Sequence, residues 1–182
     1  NDTMAGCADH GHYCADRAGA VVTDAAAAAE GAADEGFCTI VVGATLSANV
    51  EYGFSLGTTA SIAGNSGDNV LIGGYATVAQ TLTGNDGNDY LSGTAAADFL
   101  YGGNGVDTLL GRSGIDQLFG GDGNDSYYVE NLASTVTEAA GATAGANDII
   151  YTNVNATMAA NVETLFTYGA ATNVTGNADA NA

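Results

Sequence analysis

The chain of 182 residues has no lysine, no proline and no tryptophan, and its only permanent cations are Arg17 and Arg112. Two arginines cannot neutralise a phosphate backbone, which argues against nucleic acid as a partner. The lack of proline removes the extended proline-rich linker, and 27 glycines point to many tight turns instead. No stretch approaches the ~18 apolar residues needed to span a membrane. Bulky apolar side chains are also scarce, since Val, Ile, Leu and Phe together make 35 of 182 residues. A chain below about 20% in those four residues, with a large net charge, normally fails to fold by apolar burial alone. Here 21 acidic side chains bring the formal charge to −19. Either the chain is disordered or a cation holds it together. Three cysteines, an odd number, define neither a disulfide framework nor a compartment. Asn1 in place of an initiator methionine, with no visible signal peptide, reads as a processed or excised segment.

What the chain does have is a period. From Gly84 it falls into five gapless frames of nine residues: GNDGNDYLS (84–92), GTAAADFLY (93–101), GGNGVDTLL (102–110), GRSGIDQLF (111–119) and GGDGNDSYY (120–128). Glycine opens each frame, at Gly84, Gly93, Gly102, Gly111 and Gly120. Aspartate is sixth in each, at Asp89, Asp98, Asp107, Asp116 and Asp125, and an apolar or aromatic residue is eighth. Five aspartates in register would arise by chance on the order of once in 10⁵–10⁶ trials, so the repeat is real. Two weaker frames precede it, with Asn69 and Gln80 at the sixth place. Each frame opens on a polar, glycine-rich turn and closes on a three-residue strand with one side chain inward. Two frames therefore make one solenoid turn of 18 residues, with like frames stacked about 4.8 Å apart. Asp89, Asp107 and Asp125 line one edge, Asp98 and Asp116 the other, and Asn69 and Gln80 form neutral ends. Carboxylates at that spacing repel by roughly 3–4 kcal/mol at an effective dielectric of 20. A cation between them is required, and an all-oxygen donor set in flexible turns suits calcium better than magnesium.

The tandem pattern GGxGxDxUx, matched fully by GGNGVDTLL and GGDGNDSYY, resembles the repeats-in-toxin (RTX), or haemolysin-type, nonapeptide. The resemblance implies an all-β fold, a parallel β-roll with calcium between successive turns, usually outside the cell after one-step type I secretion. Carried over by residue, it implies calcium contacts at Asp89, Asp98, Asp107, Asp116 and Asp125, helped by turn oxygens around Gly84, Gly102, Gly105, Gly120 and Gly123. Asn69 and the third-place Asp86 and Asp122 complete the metal-binding set. Frame 93–101 departs from the pattern, with Ala96 where the fourth-place glycine belongs.

A longer period encloses the ladder. Residues 44–69 align without gaps to 156–181, and VTDAA (22–26) matches VTEAA (136–140). The chain then reads as the end of one repeat plus spacer (1–63), a ladder (64–128), a second spacer (129–175) and the start of another ladder (176–182). Within the spacers, 37–42 with 49–56, and 148–154 with 161–168, read as paired strands flanking the roll. Residues 23–35 read as an alanine-rich helix begun by Thr23, and their counterpart 137–148 as a loop.

One cluster stands apart: Cys7, His10, His12 and Cys14, in CADHGHYC. Two thiols and two imidazoles could bind zinc or copper, though at no standard finger spacing. The alternatives are a degenerate calcium turn, or a disulfide between Cys7 and Cys14 or involving Cys38. No nucleophile–base pair is visible and the aspartates are periodic, so no catalytic role is expected. The function expected is an extracellular, calcium-folded structural module of a bacterial adhesin, surface layer or filament. Its partners are calcium, other copies stacked head to tail, and a cell surface or polysaccharide. The rival is an accessory folding and secretion module of an RTX protease, lipase or epimerase.

Overall fold

The computed structural model describes residues 3–5, 12–15, 21–23, 37–48, 50–74, 77–140, 145, 147–169 and 173–179. It begins with β1 (Thr3–Ala5), β2 (His12–Ala15), β3 (Val21–Thr23), β4 (Phe37–Thr45) and β5 (Tyr52–Ala63). The nonapeptide region supplies β6 (Val70–Ile72), β7 (Thr81–Asp86), β8 (Tyr90–Ser92), β9 (Phe99–Asn104), β10 (Thr108–Arg112), β11 (Gln117–Asp122) and β12 (Ser126–Val129). After it come β13 (Thr135–Thr137), β14 (Ile149–Thr152), β15 (Ala156–Thr157), β16 (Thr164–Thr167) and β17 (Val174–Thr175). There is no helix among the described residues, and none long and apolar enough to cross a membrane.

Every strand pairing among the described residues is parallel, and the fold is a parallel β-roll. Alternate frames stack: β6, β8, β10 and β12 run side by side on one face, and β7, β9, β11 and β13 on the other. The register advances by one two-frame turn, as in Tyr90↔Thr108 and Thr108↔Ser126 on the first face and Phe99↔Gln117 on the second. Strand β5 belongs to both faces. Its first residues pair with β6 and its last with β7, so one long strand starts both columns.

The eighth-place residues fill the space between the faces. Leu71, Leu91, Leu109 and Tyr127 form one inner row, Leu82, Leu100 and Leu118 the other, and all are fully buried. Ile62 and Ile150 prolong the rows. Apart from the buried Ser92, the seventh and ninth residues are at least partly exposed, and aromatic side chains stack along the faces, with Tyr101 on Phe119 at 4.7 Å and Tyr128 on Tyr151 at 4.9 Å. This core is one side chain wide. At roughly 1.5–3 kcal/mol for each buried leucine, it is a narrow source of stability for a chain of this charge.

The strands expected in both spacers are present, and they pair as further turns of the same roll. Phe37 lies opposite Tyr52 and Ile149 opposite Thr164, in each case a shorter step than the two-frame turn. Strand β14 in turn stacks directly on β12. Thr23 ends β3, and the alanine-rich segment that follows lies outside the described residues. Its counterpart is irregular over 138–140, beyond β13, as expected of a loop.

Because the inner rows are so thin, a single truncation should be felt. Leu109→Ala is expected to destabilise the calcium-loaded protein by about 2–5 kcal/mol. Leu110→Ala, on the partly exposed outer face, should cost well under half as much. Denaturant melts of the two variants in saturating calcium check the inward and outward assignment.

Candidate metal centre

Each sixth-place residue sits immediately before or near the start of an inward strand, so its side chain turns back under the preceding glycine-rich bend. The parallel register then stacks these side chains one above another. In the first column, Asp89 Oδ1 accepts the backbone N–H of Asn69 at 2.7 Å, and Asp107 Oδ1 that of Asp89 at 2.7 Å. Asp125 Oδ1 accepts from Asp107 N–H at 2.8 Å. In the second column, Asp98 Oδ1 accepts from Gln80 N–H at 2.7 Å and Asp116 Oδ1 from Asp98 N–H at 3.0 Å. All five carboxylates are 0–2% exposed, deeper than aspartate is normally found without a counter-charge. The two-edge arrangement expected from the period is the one observed.

The other carboxylate oxygen is the informative one. Oδ2 of Asp89, Asp107 and Asp125 is buried and has no hydrogen-bond partner. An orphaned buried acceptor costs about 1–3 kcal/mol, and more if charged. These oxygens face the frame-opening glycines. A Cβ at Gly84 would collide with Asp89 Oδ2 and come within 2.6 Å of the Gly102 carbonyl oxygen. A Cβ at Gly102 would likewise collide with Asp107 Oδ2 and lie 2.6 Å from the Gly120 carbonyl oxygen. Glycine at these places keeps open a small pocket walled by a carboxylate and carbonyl oxygens. The fourth-place Gly105 and Gly123 are left-handed, at φ 134° and 129°, and a Cβ on either would strike the carbonyl oxygen of the turn below. Only glycine allows the bends to nest so closely.

The remaining expected residues divide. Asn69, at the ladder's neutral end, satisfies itself: its Oδ1 accepts from Asn65 N–H at 2.8 Å and its amide donates to the Val50 carbonyl at 3.2 Å. Asp98 also differs from its fellows, because Thr94 donates to its Oδ2 from both N–H (2.5 Å) and Oγ1 (3.0 Å). Thr94 Oγ1 in addition accepts from Ala96 N–H, so the frame lacking the fourth glycine closes upon itself. Asp86 and Asp122 lie on the outer side of the bends, where Asp86 Oδ1 accepts from the Asn104 amide at 2.6 Å. Cys7 and His10 lie outside the described residues, as do the side chains of His12, Cys14 and Cys38.

The acidic column is longer than the nine-residue period indicates. Asp148 Oδ1 accepts from Asp125 N–H at 2.7 Å, its Oδ2 is another buried orphan, and Glu163 Oε2 accepts from Asp148 N–H at 2.8 Å. On the second edge Ser134 Oγ continues the column by accepting from Asp116 N–H at 2.9 Å. One longer turn precedes Asp148 and one shorter turn precedes Glu163, which hides both from a search at fixed spacing. The signal that could have found them is an acid just before an inward strand: Asp148 before IIYT and Glu163 before TLFT.

Burial raises the affinity of these groups for protons, and neighbouring carboxylates add to it. Asp89, Asp107, Asp116 and Asp148 are pushed up to about 6 and Asp125 to about 7, while Asp98 moves upward as well. The backbone N–H donors oppose the shift without cancelling it. The site is a line of oxygens, a donor set well suited to a hard divalent cation.

The model of the RTX calcium-binding nonapeptide repeat matches residues 60–75, 79–109 and 101–131. The chain carries RTX repeats. They bind calcium, and the buried orphan oxygens show a donor set that fits it. No curated protein and no solved structure matches the chain.

Two outcomes follow from this geometry. Raised folded-state values favour the metal-free RTX roll in acid: their contribution is complete below about pH 4 and is lost as pH climbs through about 6–7. Calcium must displace those protons, so its affinity should fall as pH drops through the same window. Melting of the chelated protein across this range checks the sign, and metal-free stability that increases with pH would contradict it. Separately, Asp107→Ala should reduce calcium cooperativity more than Asp98→Ala, because Thr94 already satisfies Asp98. Equal effects in calcium titrations would count against the difference between the columns.

Proposed function

We propose that the protein acts as a calcium-binding structural module. In this reading the ions sit between successive turns, held by Asp89, Asp107 and Asp125 on one edge and Asp116 and Asp98 on the other. Carbonyl oxygens around Gly84, Gly102, Gly105, Gly120 and Gly123 complete the shells, with Asn69, Asp86 and Asp122 at the margins. The acidic chain stays unfolded where calcium is scarce, and folds where calcium is millimolar. For sites with dissociation constants near 10⁻⁴ M, the gain is on the order of 1–1.5 kcal/mol each at about 1 mM. Such gating suits a bacterial protein that leaves the cell unfolded and folds outside it. This placement rests on the secreted habit of RTX proteins.

We further propose that the module belongs to a repetitive extracellular array, as in an adhesin, surface layer or filament, and has no catalytic role of its own. One observation supports this above all. The short turn Phe37↔Tyr52 recurs as Ile149↔Thr164, at the offset that relates 44–69 to 156–181. The long sequence repeat is thus also a repeat of the roll's geometry. An accessory module of a secreted enzyme needs a single ladder and gives no reason for that recurrence. Strand β16 adds a means of assembly, with Phe166 52% exposed and Tyr168 40% exposed near the end of the sheet. A stack of copies through sheet ends is a head-to-tail contact, which propagates without closing. Sedimentation velocity over a range of protein concentrations is expected to show calcium-dependent growth in mass. A monomer at every calcium and protein concentration would end the filament reading.

A further inference from the structure

Three departures from the repeat meet at one point. Strand β11 pairs with β13 through Phe119↔Thr137, so Glu138 follows where the column of opening glycines Gly84, Gly102 and Gly120 would continue. Tyr127 stands in the inner row where leucine stood in the four frames before it. Asp148 replaces the next sixth-place aspartate, ten residues after Glu138 where Asp125 is five after Gly120. Five more residues separate the pair here than in a regular frame, and a carboxylate enters where the ladder otherwise tolerates no Cβ.

The carboxylate oxygens of Asp125, Glu138 and Asp148 lie within 4.8 Å of one another, and all three residues are buried. Asp125 is 0% and Asp148 1% exposed, yet Oδ2 of each lacks any hydrogen-bond partner. Their Oδ1 atoms are already engaged with backbone N–H groups, so each has one oxygen left over. Glu138 Oε1 accepts from Ala139 N–H at 2.7 Å, and its Oε2 accepts a short hydrogen bond from the Tyr127 hydroxyl. The same small space is bounded by Gly120, where a Cβ would run into the Tyr127 oxygen and Asp125 Oδ2 and lie 2.8 Å from Glu138 Oε2.

We propose that Asp125, Glu138 and Asp148, with the Tyr127 hydroxyl beside them, form the divalent-cation site that closes the loaded ladder, with Asp125 as the last ligand of the repeat. It differs from the repeat sites in chemistry: a third carboxylate and a phenol replace the oxygens that a regular glycine bend would offer. Three carboxylates demand a doubly charged ion where the repeat turns share fewer charges. The site terminates the nonapeptide register and joins β12 to β14, so the irregular turn is locked by metal as the regular ones are. The inference rests on the reading of the ladder as calcium-binding, and it adds residues outside the nonapeptide motif.

Calorimetric titration of the whole chain at neutral pH, wild type against Glu138→Gln, tests it with calcium as the probe. Loss of one calcium per chain is expected, with the other sites retained. Unchanged stoichiometry and affinity would overturn the site and leave Glu138 as a hydrogen-bond partner of Tyr127. A wild type that takes up no calcium would instead overturn the ladder reading itself. Terbium emission excited through tyrosine gives a second readout, independent of the folding of Glu138→Gln. Tyr127→Phe, saturated with terbium, should lose most of this emission, and full retention would place no ion beside Tyr127.

Discussion

Everything in this fold depends on parallel stacking of buried carboxylates that no cationic side chain among the described residues meets. Among the described residues the one guanidinium is exposed and turned elsewhere: Arg112 Nε donates to Ser92 Oγ at 2.6 Å. Backbone N–H groups satisfy one oxygen of each aspartate and, at Asp89, Asp107 and Asp125, leave the other in a pocket kept open by glycine. At a ladder spacing of about 4.8 Å, each neighbouring pair of charges costs roughly 3–4 kcal/mol at an effective dielectric of 20. The inner leucines must already offset the conformational entropy of the chain, which leaves little against several such terms at neutral pH. Protons can remove the charge, or calcium can balance it. The fold therefore reads out its ionic surroundings directly.

The same constraint explains the division of labour within a frame. Leucine at the eighth place sets the distance between faces, and the outward residues vary because they bear only on solvent and on stacked aromatics. The first and fourth places admit glycine for different reasons. The first must leave space for Asp Oδ2, and the fourth must take a left-handed bend beneath the next turn. Where frame 93–101 substitutes Thr94 and Ala96, the threonine gives Asp98 Oδ2 the hydrogen-bond donors that Oδ2 of Asp89, Asp107 and Asp125 lacks. A turn can thus be kept in the stack while its demand for metal is reduced.

Much of this was legible in the sequence because the stack converts a linear period into columns. The inward leucines of the five frames, the two aspartate edges and the end position of Gln80 follow from counting by nine, and Asn69 follows once two extra residues are allowed in 73–83. The strands of the spacers were also legible from their apolar runs. Their part in the roll was not, since turns longer or shorter than two frames preserve strand stacking while breaking the count. For that reason Asp148 and Glu163 fall outside the period, although each stands before an inward strand as Asp125 does. Glu138 and the Tyr127 hydroxyl were hidden more deeply. Their meeting depends on the register that sets Glu138 beside Gly120 and on a phenol reaching across the core, and neither leaves a spacing to detect.

Far-UV circular dichroism during a calcium titration of the chelated protein, run beside magnesium, measures the central dependence most directly. The account predicts a cooperative conversion from disorder to β-structure at neutral pH, driven by calcium and not matched by magnesium. A β-rich spectrum that persists unchanged in strong chelator at neutral pH would contradict it, because the buried aspartates would then be held by something other than the ion.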